Sequence, residues 1–343
     1  MSTTPGRMSS EQATLEVRVD GVVGEIRTEI LRRQRFLLTS HARPDGDSIG
    51  SQLAMAFALD RLGKEVRIVN ADPAPDHYQD FPGMERIEIA GRVTPDVDAV
   101  IVMECSDLSR SGVAGLENQF IINIDHHAGN LLYGALNWHD ESAAACGEMV
   151  FDLIRALGVP MNLEIATHIY LAILTDTGSF HHSHITPRTF DICRQTVEAG
   201  VVPATMARRV FDSNSFGKLK LIGALLDSME LLDQGRLAVL YMDDRMLEAC
   251  GCTNNDTEGL INLPLTAREI QAVVFFKAGP DGEMRVSMRS KYDVDVRRVA
   301  SHFGGGGHKN AAGFTVKGSL ESVRPGILSR LVEAVEEGLE SRP

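Results

Sequence analysis

The sequence predicts an α/β protein of two domains: an N-terminal layer built on a parallel sheet, and a smaller α+β domain after it, with a cleft between them. Three observations carry this. The chain has 343 residues, more than twice the roughly 100–150 of a common single domain. Short runs rich in β-branched residues, Val66–Val69, Ala99–Met103 and Phe120–Ile124, show little alternation, as strands covered on both faces of a parallel sheet do. Helical stretches alternate with these runs up to about residue 200, after which the pattern changes.

Taken in order, residues 1–10 are polar and lack the apolar core of a secretory leader. Residues 10–34 place Leu15, Val22, Ile26, Ile30 and Leu31 at helical spacing before a strand at 36–39. A polar turn leads into a helix at 49–62, and further helices are expected at 143–157, 162–174 and 187–199. From 204 to 232 the pattern is helical with no new strand, so residues 1–203 form the first domain, 204–235 a helical connector and 236–343 the second domain. In that second domain strands are expected at 236–242, 269–277 and 283–290, with helices at 294–303 and 320–338.

Composition narrows the functional classes. Hydrophobic residues make up 43% and charged residues 24%, which excludes wholesale disorder, collagen and coiled coil. No apolar run approaches the roughly 20 residues needed to cross a bilayer. Five scattered cysteines without a CxxC motif signal neither a disulfide framework nor a zinc knot, and fit a reducing cytoplasm. A net charge of −13 opposes binding to long duplex nucleic acid, whose affinity depends on neutralised phosphates. Positive charge is nonetheless concentrated at 285–309, where six Lys/Arg face two Asp.

Four acidic and histidine clusters follow strands or a helix. His41, Asp45 and Asp47 lie in a turn made compact by Pro44 and Gly46, although Asp47 or Ser48 as a simple helix cap is the plainer alternative. Glu104 follows the strand 99–103. Asp125-His126-His127 follows the next strand, where Asp125 is placed to orient one imidazole. Asp176 ends the helical run 162–174 against the macrodipole, a conflict that a cation would relieve; His181, His182 and His184 after it read better as a surface loop. Jointly, His41, Asp45, Asp47, Glu104, His126 and Asp176 form an oxygen-rich set with two imidazoles. Four carboxylates in one pocket repel strongly unless cations intervene. Six ligands suit two divalent ions, with Mn²⁺ favoured over Mg²⁺, Co²⁺ or Fe²⁺.

The His-x-Arg-Pro-Asp-Gly-Asp-Ser turn, the Asp-His-His triplet and Asp176-Thr-Gly resemble the motifs of the DHH phosphoesterase family in their expected order. Downstream, Arg285-Val-Ser-Met-Arg289-Ser290 and Gly304-Gly-Gly-Gly-His308-Lys-Asn-Ala-Ala-Gly313-Phe resemble its DHH-associated C-terminal domain. The resemblance implies a catalytic first domain, a substrate-binding second domain and hydrolysis of phosphoesters by metal-activated water. It points to the branch acting on very short RNA and on the 3′-phosphate of adenosine 3′,5′-bisphosphate. It puts His127 on the substrate side. Glu104 departs from the usual aspartate by one methylene, about 1.5 Å in a site where ~0.5 Å counts, so a changed metal dependence is expected.

In the second domain, Arg289 offers a bidentate phosphate contact beside Ser290. The run Gly304–Gly307 frees backbone N–H groups at Gly305 and Gly306 for a phosphate nest, with His308 and Lys309 adding charge. Domain closure would then favour short substrates. The expected partners are short RNA and nucleotides, with no membrane and no long duplex, and a homodimer is compatible with the sequence. Rival readings are a cyclic or linear dinucleotide phosphodiesterase, an inorganic pyrophosphatase and a non-catalytic nucleotide-binding module.

Overall fold

A computed structural model describes residues 21–340, apart from 95, 182, 183, 213, 258, 280 and 281. Two compact units meet in sequence at 213/214. In the first, α1 (Val22–Arg32) precedes β1 (Arg35–Thr39), α2 (Gly46–Arg61), β2 (Glu65–Asn70), β3 (Ile87–Ile89), β4 (Ala99–Met103), β5 (Ile121–Asp125) and β6 (Leu136–His139). Four helices complete it: α3 (Cys146–Ala156), α4 (Leu163–Asp176), α5 (Pro187–Glu198) and α6 (Pro203–Phe211).

All five pairings in this sheet are parallel, in the order β3-β2-β1-β4-β5-β6. Successive side chains leave opposite faces, so Phe36 and Leu38 join the core beneath α2, α3 and α4, whereas Leu37 joins Val69, Val100 and Val102 on the other face. Burial on both faces explains the uninterrupted apolar runs. Chain order reverses between β1 and β4. Open α/β sheets form their ligand crevice at such a reversal, outside the carboxyl ends of the strands.

Helices α2 and α4 pack closely because glycine lines the contact. A Cβ on Gly50 would lie 2.5 Å from the His168 carbonyl oxygen, and one on Gly46 would lie 2.5 Å from the Thr175 side chain. This close approach brings the start of α2 beside the end of α4.

The second unit contains α7 (Phe216–Asp227), β7 (Glu230–Leu232), β8 (Leu237–Met242), α8 (Asp244–Cys250), β9 (Ala272–Ala278), β10 (Glu283–Ser290), α9 (Val296–His302), β11 (Gly306–His308), β12 (Ala311–Lys317) and α10 (Leu320–Glu340). Its mixed sheet runs β11-β12-β10-β9-β8-β7, with β8 and β9 parallel and the other pairs antiparallel. Apolar clusters cover both faces.

Several sequence expectations change in detail. The segment 204–232 does contain a strand, β7, which forms the edge beside β8. Helix α6 belongs to the first unit and α7 to the second. Within 10–34, the described helix covers 22–32; residues 1–20 lie outside the described residues. Among the described residues no helix is long and apolar enough to cross a membrane.

Candidate functional site

The carboxyl ends of β1, β4 and β5 are neighbours in the sheet, and each delivers a polar group to the same place. His41 follows β1. Its Nδ1 donates to the Ala42 carbonyl at 2.9 Å and its Nε2 lies 2.8 Å from Ser48 Oγ. Asp45 is the N-cap of α2, accepting from the Ser48 N–H at 3.0 Å. The cap is thus Asp45, not Asp47 or Ser48.

Asp47 turns inward and is buried. Its Oδ1 accepts from Ser51 Oγ at 2.8 Å and from the Gly147 N–H at 3.0 Å, and its Oδ2 accepts from the Cys146 N–H at 2.6 Å. This carboxylate therefore meets the first turn of α3, where unsatisfied N–H groups and the helix dipole favour negative charge.

Glu104 leaves β4 with φ of 57°, a left-handed conformation rare outside glycine and asparagine and one that concentrates at functional sites. Its side chain is 1% exposed, with Oε1 3.2 Å from His126 Nε2 and Oε2 3.6 Å from His127 Nδ1. Among the described residues, neither Glu104 oxygen has a hydrogen-bond partner. A buried carboxylate without donors is costly.

At the end of β5, Asp125 is fully buried and accepts from His127 Nδ1 at 2.8 Å. His126 Nδ1 donates to the Ala143 carbonyl at 3.0 Å, turning Nε2 to Glu104 and, at 3.4 Å, to Asp176 Oδ2. Asp176 is the last residue of α4, as the helical pattern anticipates.

The six expected ligands fall into two sets. His41, Asp45 and Glu104 offer donor atoms within 4.8 Å of one another, and so do Asp47, His126 and Asp176. Glu104 also makes such a group with His126 and His127, so it reaches both sides. Each of the two sets into which the six fall supplies two carboxylates and one imidazole.

Electrostatics describe a site short of positive charge. Burial, followed by Asp47, Asp176, Asp45 and Asp125, drives the Glu104 carboxyl well above its ordinary range. Burial and Asp47 push Asp176 up to about 8. Burial also raises Asp47, which His126 opposes. Burial would lower His126, but Asp176 and Asp47 outweigh it and raise the imidazole. Burial works against ionised Asp45 as well, yet its contacts with His41 and Ser48 hold it below the usual carboxylate range. The donors, their grouping and the orphaned Glu104 oxygens all fit divalent cations.

The remaining predicted residues are less uniform. His181 is exposed and, like His184, joins no cluster of donors among the described residues; His182 lies outside them. In the second unit Arg289 is half-buried with Nη1 donating to the Met288 carbonyl at 3.0 Å, and burial lowers its pKa. Ser290 is buried, its hydroxyl donating to the Val294 carbonyl at 2.7 Å and accepting from Asn310 at 2.9 Å. It closes a turn. Lys309 pairs with Asp293 at 2.7 Å, and His308 sits beside it in β11.

The glycine run is not an open loop. Gly304 has φ of 76°, while Cβ atoms on Gly305 and Gly307 would lie 2.3 Å from the Gly313 and 2.4 Å from the Ala311 carbonyl oxygens. Close pairing of β11 with β12 thus accounts for both Gly305 and Gly307. Only Gly306 among the four faces open space without positive φ.

Sequence reasoning took Ser48 only as a helix cap and overlooked its contact with His41, and it also overlooked Ser51 and the Cys146 and Gly147 N–H groups. Ser48 had a signal, its i+3 spacing from Asp45. The two N–H groups had none, because they lie 99 and 100 residues from Asp47.

Comparison with known proteins shows the family and the fold. The model of the DHH family N-terminal domain matches residues 35–173, and that of the DHHA1 domain matches 235–340. The bifunctional oligoribonuclease and PAP phosphatase NrnA of Thermus thermophilus is 34% identical over 304 residues, covering 88% of this chain and 89% of that protein. An exopolyphosphatase-related protein from Bacteroides fragilis has a TM-score of 0.87 at 24% identity, over 93% of this chain and 98% of that one. RecJ of Thermus thermophilus, solved in complex with Mn²⁺, has a TM-score of 0.55 at 14% identity, over 94% of this chain and 55% of its own.

Proposed function

Because the chain belongs to the DHH family, we propose that it is a manganese-dependent phosphoesterase that hydrolyses very short oligoribonucleotides and the 3′-phosphate of adenosine 3′,5′-bisphosphate. The observation that carries the proposal is the pair of three-donor sets at the β1/β4 chain reversal, linked by a buried carboxylate without a hydrogen bond. His41, Asp45 and Glu104 would hold one cation, and Asp47, His126 and Asp176 the other, Glu104 facing both. Such a pair of cations supplies an activated water and neutralises charge on the phosphoryl oxygens.

The chain's own groups do the positioning. Ser48 and Ala42 fix the His41 ring, Ala143 fixes the His126 ring, and the α3 N–H groups fix Asp47. Asp125 holds His127 Nδ1, so His127 meets the phosphoryl group or the leaving oxygen through Nε2. In the second unit Arg289 and the His308–Lys309 corner are the groups assigned to the rest of the nucleotide.

The relatives support the choice of substrate class, since the NrnA protein of Thermus thermophilus carries both activities in its name. The test is a Mn²⁺-supplemented panel of adenosine 3′,5′-bisphosphate, di- to tetraribonucleotides, ~25-nucleotide RNA, linear and cyclic dinucleotides and pyrophosphate, with Asp176→Ala as control. Turnover of the bisphosphate and the short RNAs, lost in the folded control, is expected. Preference for pyrophosphate or for a cyclic dinucleotide would overturn the proposal. So would tight nucleotide binding without turnover, or equal rates on dinucleotides and ~25-nucleotide strands.

A further inference from the structure

The loop from 126 to 135, between β5 and β6, is fastened by side chains that take no part in the donor sets. Asn130 stands at its centre. Its Nδ2 donates to Asp125 Oδ2 at 2.6 Å, while its Oδ1 accepts from Asn123 Nδ2 and from the Leu132 N–H, each at 2.8 Å. The amide's orientation is therefore dictated: nitrogen toward the carboxylate, oxygen toward two donors. Asn123, buried on β5, makes that oxygen end a fixed point of the sheet.

Asp125 divides its two oxygens. Oδ2 is held by Asn130, and Oδ1 accepts from the His127 N–H at 3.2 Å and from His127 Nδ1 at 2.8 Å. A carboxylate anchored at one oxygen is held from turning about its Cβ–Cγ bond, so Oδ1 stays at hydrogen-bond distance from His127 Nδ1, nearer than Glu104 Oε2 at 3.6 Å. The hydrogen bond made by one ring nitrogen fixes the tautomer and aim of the other. The same loop is also tied to the segment leaving Glu104. The Leu131 N–H donates to the Ser106 carbonyl at 2.8 Å, and the Tyr133 hydroxyl to the Cys105 carbonyl at 2.7 Å.

We propose that Asn130 is a positioning residue for the reaction: it locks Asp125 so that His127 is held as the Nδ1–H tautomer with Nε2 presented to the substrate phosphoryl group. The inference rests on the phosphoesterase reading above, in which His127 meets substrate. Asn130 itself touches no reacting atom. Its removal leaves the Asp125–His127 pair in contact but takes a donor from a buried carboxylate, which is then free to turn between the donors that remain to it.

The experiment compares the full chain as wild type, Asn130→Ala, Asn130→Asp and Asn137→Ala. Steady-state kinetics on adenosine 3′,5′-bisphosphate with Mn²⁺ are paired with ¹⁵N NMR of histidine-labelled, Mg²⁺-loaded protein, the His127 signals being assigned with His127→Gln. In Asn130→Ala, kcat is expected to fall about 10- to 100-fold with KM within threefold, and the His127 signals to change from one tautomer to a mixture. Asn137→Ala loses the loop-closing bonds to Gly134 and a longer bond of 3.3 Å from Asn123, but leaves the shorter Asn123–Asn130 and Asn130–Asp125 bonds in place, and should stay within threefold in kcat. Asn130→Asp keeps the shape but puts an acceptor against Asp125; it gives the same two readouts where the alanine variant does not fold. Unchanged His127 signals in the Asn130 variants, or an equal loss in Asn137→Ala, would overturn the inference. If wild type turns over neither substrate, the functional reading fails by itself, and the NMR comparison still decides whether Asn130 sets the histidine.

Discussion

Glu104 Oε1 lies 3.2 Å from His126 Nε2, at the point where the two sets of donors meet. Among the described residues that carboxylate accepts no hydrogen bond, so its ionised form lacks any partner except a cation or a charged imidazole.

Replacing Glu104 with glutamine should therefore have opposite effects in two states. Metal-free Glu104→Gln should melt above metal-free wild type, because a crowded buried acid is gone. Saturating Mn²⁺ should raise the wild-type Tm by about 5–10 °C, as expected of ~100 Kd of ligand acting on a domain of this size, and should raise the variant by less than half of that. Calorimetric melts with and without chelator test this; an undiminished shift in Glu104→Gln would remove Glu104 from the cation site.

Shortening the same residue to aspartate gives the acid that the resemblance leads one to expect there. Turnover should persist in Glu104→Asp, with the ratio of Mn²⁺- to Mg²⁺-supported rates moved by about threefold or more. Metal titrations giving identical affinities and rates for every ion would show that the extra methylene has no consequence.

The glycine run separates packing from ligand contact. Gly305→Ala places a Cβ 2.3 Å from a carbonyl oxygen and should destabilise the second unit by roughly 2 kcal/mol or more. Gly306→Ala meets nothing within 4 Å and should leave urea unfolding unchanged. A rise of KM in Gly306→Ala, at unchanged stability, would be the mark of a nucleotide against that backbone; an unchanged KM would leave the run a purely architectural device.

His168 governs part of the acid stability. Burial pushes its imidazole down to about 4 from an ordinary 6.5; its ring stacks on Phe57 at 5.4 Å and its Nδ1 donates to the Glu164 carbonyl at 2.7 Å. A histidine depressed by folding contributes stability above its unfolded pKa, and that contribution is lost as pH falls toward the folded value. Between pH 7 and pH 4 wild type should lose roughly 3 kcal/mol relative to His168→Phe. Denaturant titrations at the two pH values measure the difference, and parallel losses would refute it.

Much of the site was legible because its chemistry is local. His41, Asp45 and Asp47 share one turn, Asp125, His126 and His127 another, and Asp176 breaks a helix rule that only a compensating charge excuses. Strands β1, β4 and β5 were legible for a different reason, their burial on both faces. By contrast β6 is half-buried throughout, and its Leu-Asn-Trp-His has neither a β-branched run nor a clean alternation. β3 is three residues long. The contacts between Asp47 and α3, and between Asn130 and Asp125, depend on how loops return across the sheet, which no local pattern encodes. The glycine run was read for the space it leaves a ligand, whereas at Gly305 and Gly307 that space is filled by β12.

Asp47 closes contacts across 99 and 100 residues, and the donors extend from 41 to 176. A growing polypeptide therefore cannot complete the set of Asp47, His126 and Asp176 until the helix ending at Asp176 has left the ribosome and docked beside α2. Before that moment a Mn²⁺ ion would meet only the set of His41, Asp45 and Glu104, without its neighbour. Under the proposed reading the paired site is completed late in synthesis, and chains truncated ahead of Asp176 should show no cooperative metal uptake.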